Sequence, residues 1–125
     1  MSESDARVVC IVDDDASLRR SLRNLLEVVG FRVETFPSAS AFLEAAPRRA
    51  IGCVVLDVRM AGMSGLQLLR SLDLTDSRIP VIVLTAHGDE DTRQRTLAAG
   101  AVAFLTKPFQ YAVLVDAIRS AVSVE

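Results

Sequence analysis

The sequence predicts an α/β domain: one parallel sheet with helices on both faces. Two observations carry the prediction. Five short apolar runs rich in β-branched residues recur along the chain, each followed by a stretch of helical character, and that alternation is the signature of βα units. No Pro/Gly/Ser-rich linker, repeat or low-complexity segment interrupts it, so its 125 residues, 50% of them hydrophobic, form one domain large enough to bury a core without staples.

Taken in order, the first run is "VVCIV" (8–12), closed by three carboxylates, Asp13, Asp14 and Asp15. Asp15 sits where a helix N-cap belongs. In the helix that follows, Leu18, Leu22, Leu25, Leu26 and Val29 fall on one face, Arg19, Arg20, Arg23 and Asn24 on the other, and Gly30 supplies the stop. "FRVETF" (31–36) precedes a helix near 38–46, and "GCVVLDV" (52–58) precedes one near 64–72. "PVIVLT" (80–85) leads into a helix over 89–99 whose sole large aliphatic is Leu97, which predicts the most weakly docked helix of the five. "AVAFLT" (101–106) leads into the last, 110–122. There Val113, Leu114, Ala117, Ile118 and Ala121, with Tyr111, Val115 and Val122, span an apolar arc of roughly 200°, wider than one core-facing stripe requires. Some of that surface is expected to stay outside.

The net charge of -2 gives no general attraction to nucleic acid or anionic membrane. The start "MSESDAR" lacks a basic, then apolar, pattern, and no apolar run nears the roughly 18 residues of a membrane span, so a cytoplasmic location is expected. Residues 1–125 are read as a single domain, with 1–6 and 123–125 as flexible ends. Cys10 and Cys53 lie inside apolar runs and read as small buried hydrophobes; two cysteines and one histidine, widely spaced, do not make a zinc site.

In open α/β sheets the ligand site forms beyond the carboxyl ends of the strands. Asp13 and Asp14, Asp57, Thr85 and Lys107 close four of the runs, so three acids, a hydroxyl and an ammonium converge on one edge. Like charges so placed call for a cation, and an oxygen-rich, partly hydrated cluster suits Mg2+. A hydroxyl and a lysine opposite are what the peripheral oxygens of a phosphoryl group require.

These residues resemble the receiver domain of two-component response regulators, and in detail the FixJ-type receivers. The pieces that carry the resemblance are "VDDD", "VVLDVRM" with "MSG", "VIVLTAHGD", "AAGAVAFLTKPF" and the amphipathic last helix, spanning about residues 7–122. It implies a flavodoxin-like, three-layer fold with strand order 2-1-3-4-5. It also implies a phosphoacceptor at Asp57, charged by a sensor histidine kinase. Mg2+ would be held by Asp14, Asp57 and the backbone carbonyl of Arg59, with Asp13 acting through water. Lys107 would pair with Asp57 and then with the phosphate, Thr85 would bond a phosphate oxygen, Phe104 would follow Thr85 inward as the switch aromatic, and the Lys107–Pro108 peptide would be cis. Arg59 and His87, two places after Asp57 and Thr85, would tune dephosphorylation. The resemblance further implies a switch that catalyses its own phosphorylation and dephosphorylation rather than an ordinary enzyme. Its activated form is expected to make a homodimer through helix 4, strand 5 and helix 5, and its output to be transcriptional through a DNA-binding domain absent from this sequence. A stand-alone receiver acting by protein–protein contact is the alternative.

Four features set limits. Ala61 stands where the family often has Pro, which leaves φ of that loop less constrained. A phosphatase of the haloacid dehalogenase kind would need an acid two residues after its nucleophile, and here that residue is Arg59. A flavodoxin would need a hydroxyl-rich phosphate loop after the first strand, where this chain has acids. His87 falls in a loop rather than on a bundle helix, which argues against it as a phosphate carrier.

Overall fold

The computed structural model describes residues 8–45, 51–58, 67–70, 79–86 and 89–123. In chain order these form β1 (Val8–Val12), α1 (Ala16–Val29), β2 (Arg32–Phe36), α2 (Ala39–Ala45), β3 (Ile51–Leu56), a helical turn at 67–70 (α3), β4 (Val81–Thr85), α4 (Glu90–Ala98), β5 (Ala103–Thr106) and α5 (Tyr111–Ser123). All five strands pair in parallel in the order β2-β1-β3-β4-β5, as expected. Each strand starts within two residues of its apolar run. Residues 124–125 and 1–7 lie outside the described residues, and Ser123 still belongs to α5.

Alternation along the strands splits the core in two. On one face Cys10, Val12, Val54, Leu56, Val81 and Val83 pack with Phe42 of α2 and Leu68 and Leu69 of α3, and Leu97 of α4 joins from the margin. On the other, Val9, Ile11, Cys53, Val55, Ile82 and Leu84 pack with Leu22 and Leu26 of α1 and Leu114, Ile118 and Ala121 of α5. The two cysteines are therefore buried on opposite faces, and burial pushes both thiols up to about 12.

α1 follows its sequence pattern closely. Asp15 Oδ1 accepts from the backbone N–H groups of Ser17 (2.9 Å) and Leu18 (3.1 Å), and Gly30, at φ 119°, closes the helix with its N–H on the carbonyls of Leu26 and Glu27. Two details differ from the predicted faces. Leu25 and Val29 are only half-buried, and Arg19, assigned to the solvent face, is drawn partly inward.

Candidate functional site

Three of the site residues, Asp13, Asp57 and Lys107, are each placed by one more ladder bond beyond the end of a strand. Asp13 N–H donates to the Phe36 carbonyl (3.2 Å), Asp57 N–H to that of Val12 (3.1 Å), and Lys107 N–H to that of Thr85 (2.8 Å). The sheet therefore delivers the side chains to one edge as a continuation of its own hydrogen bonding.

At that edge the Lys107 ammonium bridges two carboxylates, 3.0 Å from Asp13 Oδ2 and 3.3 Å from Asp57 Oδ2. Asp13 and Asp57 are buried, at 2% and 7% exposure, whereas Asp14 is open to solvent. One carboxylate oxygen from each of the three acids lies within 4.8 Å of the others. Burial raises the Asp13 carboxyl above its ordinary range, against the opposing pull of the Asp15 N–H and of Lys107; the Asp57 charge adds to the rise. Desolvation works to lower Lys107, but the bond and charge of Asp13, then those of Asp57, outweigh it and hold the ammonium above its usual value.

This donor set fits a hard divalent cation. It is all carboxylate oxygen, compact, and open on the Asp14 side, where a hydrated ion would keep its remaining waters. Chemically, a buried carboxylate beside an ammonium and a cation-binding pair offers a nucleophilic oxygen and neutralisation for incoming negative charge.

Thr85 is fully buried. Alternation along β4 places its side chain on the face of Val81 and Val83, the face against which half-buried Phe104 of β5 packs opposite Val83. Thr85 and Phe104 thus share one side of adjacent strands. The Lys107–Pro108 peptide is cis. Arg59, His87 and Ala61 lie outside the described residues.

The acid–lysine cluster was legible in the sequence, but two contacts were not. Lys107 approaches Asp13 more closely than Asp57, the partner expected for it. Arg19, four residues after the helix cap, donates from Nη1 to the Asp13 carbonyl at 2.7 Å. Its spacing put it one helical turn above Asp15, within reach of the acidic turn, and that was the available signal. Elsewhere, a groove of about 490 Å³ between the end of α1 and the start of β2, lined by Val8, Arg23, Glu27, Phe31 and Arg32 among others, contains none of the clustered residues. It sits at the opposite end of the strands.

Comparison with known proteins agrees with this arrangement. The family model described as the response regulator receiver domain matches residues 9–119. The transcriptional regulatory protein FixJ of Bradyrhizobium diazoefficiens is 43% identical over 114 residues, covering 91% of this chain and 56% of FixJ. The response regulator protein TodT of Pseudomonas putida is 45% identical over 116 residues, 93% of this chain and 51% of TodT. The chain spans about half the length of these relatives. Among solved structures, FixJ-N superposes with a TM-score of 0.86 at 42% identity, covering 95% of each chain.

Proposed function

This chain belongs to the response regulator receiver-domain family, the phosphoacceptor switches of two-component signalling, and we propose that Asp57 is its phosphoacceptor. The observation that carries the proposal is the convergence of Asp57 with Asp13, Asp14 and Lys107 at one sheet edge. An Asp57 carboxylate oxygen attacks the phosphorus of a phosphohistidine on the partner kinase; the P–N bond breaks, the electron pair leaves with the imidazole, and an acyl phosphate remains. Asp14 and Asp57, with the Arg59 carbonyl and Asp13 through water, are the residues to hold Mg2+. When bound, that ion neutralises charge on the transferring group. Lys107 pairs with a phosphate oxygen from the other side.

The switch follows from Thr85 and Phe104. Thr85 bonds the phosphoryl oxygen and Phe104, on the same face of the neighbouring strand, takes up the space released. α4, β5 and α5 are the elements that respond. The activated domain associates with a second copy through them, and the whole protein's output is transcriptional, as the name of the longer relative FixJ, a transcriptional regulatory protein, suggests for that protein. Arg59 and His87, two places after Asp57 and Thr85 in the sequence, set the lifetime of the phosphoryl group. The protein acts in the cytoplasm, in keeping with described helices none of which is long and apolar enough to cross a membrane.

Incubation with acetyl phosphate and Mg2+ tests the assignment. The unaltered protein gains the mass of one phosphoryl group; Asp57→Asn, isosteric and lacking only the nucleophile and one ligand charge, gains none, and neither does the parent in EDTA. Equal labelling of Asp57→Asn would overturn it.

A further inference from the structure

From the Arg19 contact we infer that Arg19 is a positioning residue for the metal ligands, an inference that rests on the Mg2+ reading above. Asp14 is exposed, and among the described residues its carboxylate has no hydrogen-bond partner. The backbone therefore sets where its Cβ points and so the arc that its carboxylate can reach. The carbonyl of Asp13 belongs to the peptide plane that carries the Asp14 Cα, and that plane is rigid. Arg19 Nη1 holds this carbonyl at 2.7 Å, while the Asp15 N–H holds Asp13 Oδ1 at 2.9 Å from within the turn. The stem of the arginine starts from a fixed point, since the Arg19 backbone N–H makes an early α1 bond to the Asp15 carbonyl at 3.0 Å, and the side chain is half-buried. One rigid helix thus sets the plane from which Asp14 projects.

Mg2+ demands near-octahedral geometry and gives up water reluctantly, so a carboxylate that swings costs affinity. Removing a partner that orients a ligand typically weakens metal binding 10–100-fold. The sign separates this role from the alternative. A cation near the site that acted only through its charge would repel Mg2+, and its removal would tighten binding. A residue that positions Asp14 weakens binding when lost.

Calorimetric titration of the full chain with MgCl2 decides between them, with the urea midpoint in the absence of Mg2+ as the control for folding. Arg19→Met keeps the stem and the helix propensity but loses the donor and the charge; it is expected to raise the Mg2+ Kd about tenfold. Arg19→Lys restores a charged donor and brings the Kd back toward that of the parent. Arg19→Gln, too short to reach the carbonyl, gives the same reading as Arg19→Met should that variant fail to fold. Unchanged or tighter binding in a folded Met or Gln variant overturns the positioning role and leaves the metal reading intact. Absence of Mg2+ binding by the unaltered protein overturns both.

Discussion

The inner strand β1 with α1 and the edge strand β5 with α4 are built to different standards. On the acid-bearing flank all five residues of β1 are buried, and α1 is capped at both ends and sinks Leu22 and Leu26 completely. On the flank that carries Phe104 and leads to Lys107, no residue of β5 is fully buried, and α4 buries only Thr96, with Leu97 partly covered. The difference separates two jobs. On the proposed function, the residues assigned to a geometrically demanding cation stand on well-buried elements, while the elements assigned to respond to a phosphoryl group are those that cost least to move.

The contrast predicts unequal losses on truncation. Leu22→Ala removes a fully buried side chain from α1 and is expected to cost about 3 kcal/mol by urea denaturation, within the range for such cavities. Leu97→Ala, at the margin of the core, is expected to cost about 1 kcal/mol because less apolar area returns to water. Equal losses would mean that α4 is as firmly docked as α1.

Cys10 and Cys53 report on the rigid flank directly, since they lie on β1 and β3. Alkylation of both is expected to be slow in the native protein and to track global unfolding, whereas amide exchange in α4 and β5 runs ahead of it. Both thiols stand at about 12 in the fold against 9.0 for an ordinary cysteine. The folded state therefore favours the protonated form, so this contribution to stability is intact below pH 9 and is lost as pH rises toward 12. Rapid labelling of either thiol at neutral pH, with the fold intact, would contradict the rigid assignment.

How far the sequence reaches follows the same division. The strands, the acids and the lysine were legible because they rest on patterns that local chemistry dictates: β-branched runs, a capping aspartate, a glycine at a left-handed helix stop. The weak docking of α4 was legible too, from a helix with a single large aliphatic. What escaped were contacts made by flexible side chains across space. Arg19 reads as solvent-facing by helical phase, and only the fold shows its guanidinium turned onto the Asp13 carbonyl. The preference of Lys107 for Asp13 depends on sub-ångström placement of two buried carboxylates, which spacing cannot encode.

The helix caps sharpen the comparison at a smaller scale. Asp15→Ala and Asp89→Ala each remove a cap, worth about 1 kcal/mol to the helix concerned. The first is expected to appear in the global urea midpoint, because α1 is welded to the core. The second is expected as faster amide exchange confined to α4, with a smaller change in the midpoint. A midpoint shift for Asp89→Ala as large as that for Asp15→Ala would tie α4 into the global unit.

The smallest effect on stability belongs to the exposed face of α5, where the largest effect on assembly is proposed. The wide apolar arc of this helix does leave surface outside: Tyr111 is 50% exposed and Val113 44%, while Val115, Ala117 and Val122 pack partly against the core. Tyr111 is steadied by an edge contact with Phe109 at 5.6 Å, which presents its ring rather than hiding it. Val113 is thus a cleaner probe than Val115. In the first turn of α5, an aspartate at 113 gains from the helix dipole and loses a little to Asp116 three residues on, so Val113→Asp is expected to change stability by less than about 0.5 kcal/mol. Sedimentation with beryllofluoride and Mg2+ is expected to show the parent shifting toward dimer and Val113→Asp remaining monomeric. If both dimerise alike, the second copy docks elsewhere; if the parent stays monomeric on activation, the loosely built flank signals to a different partner.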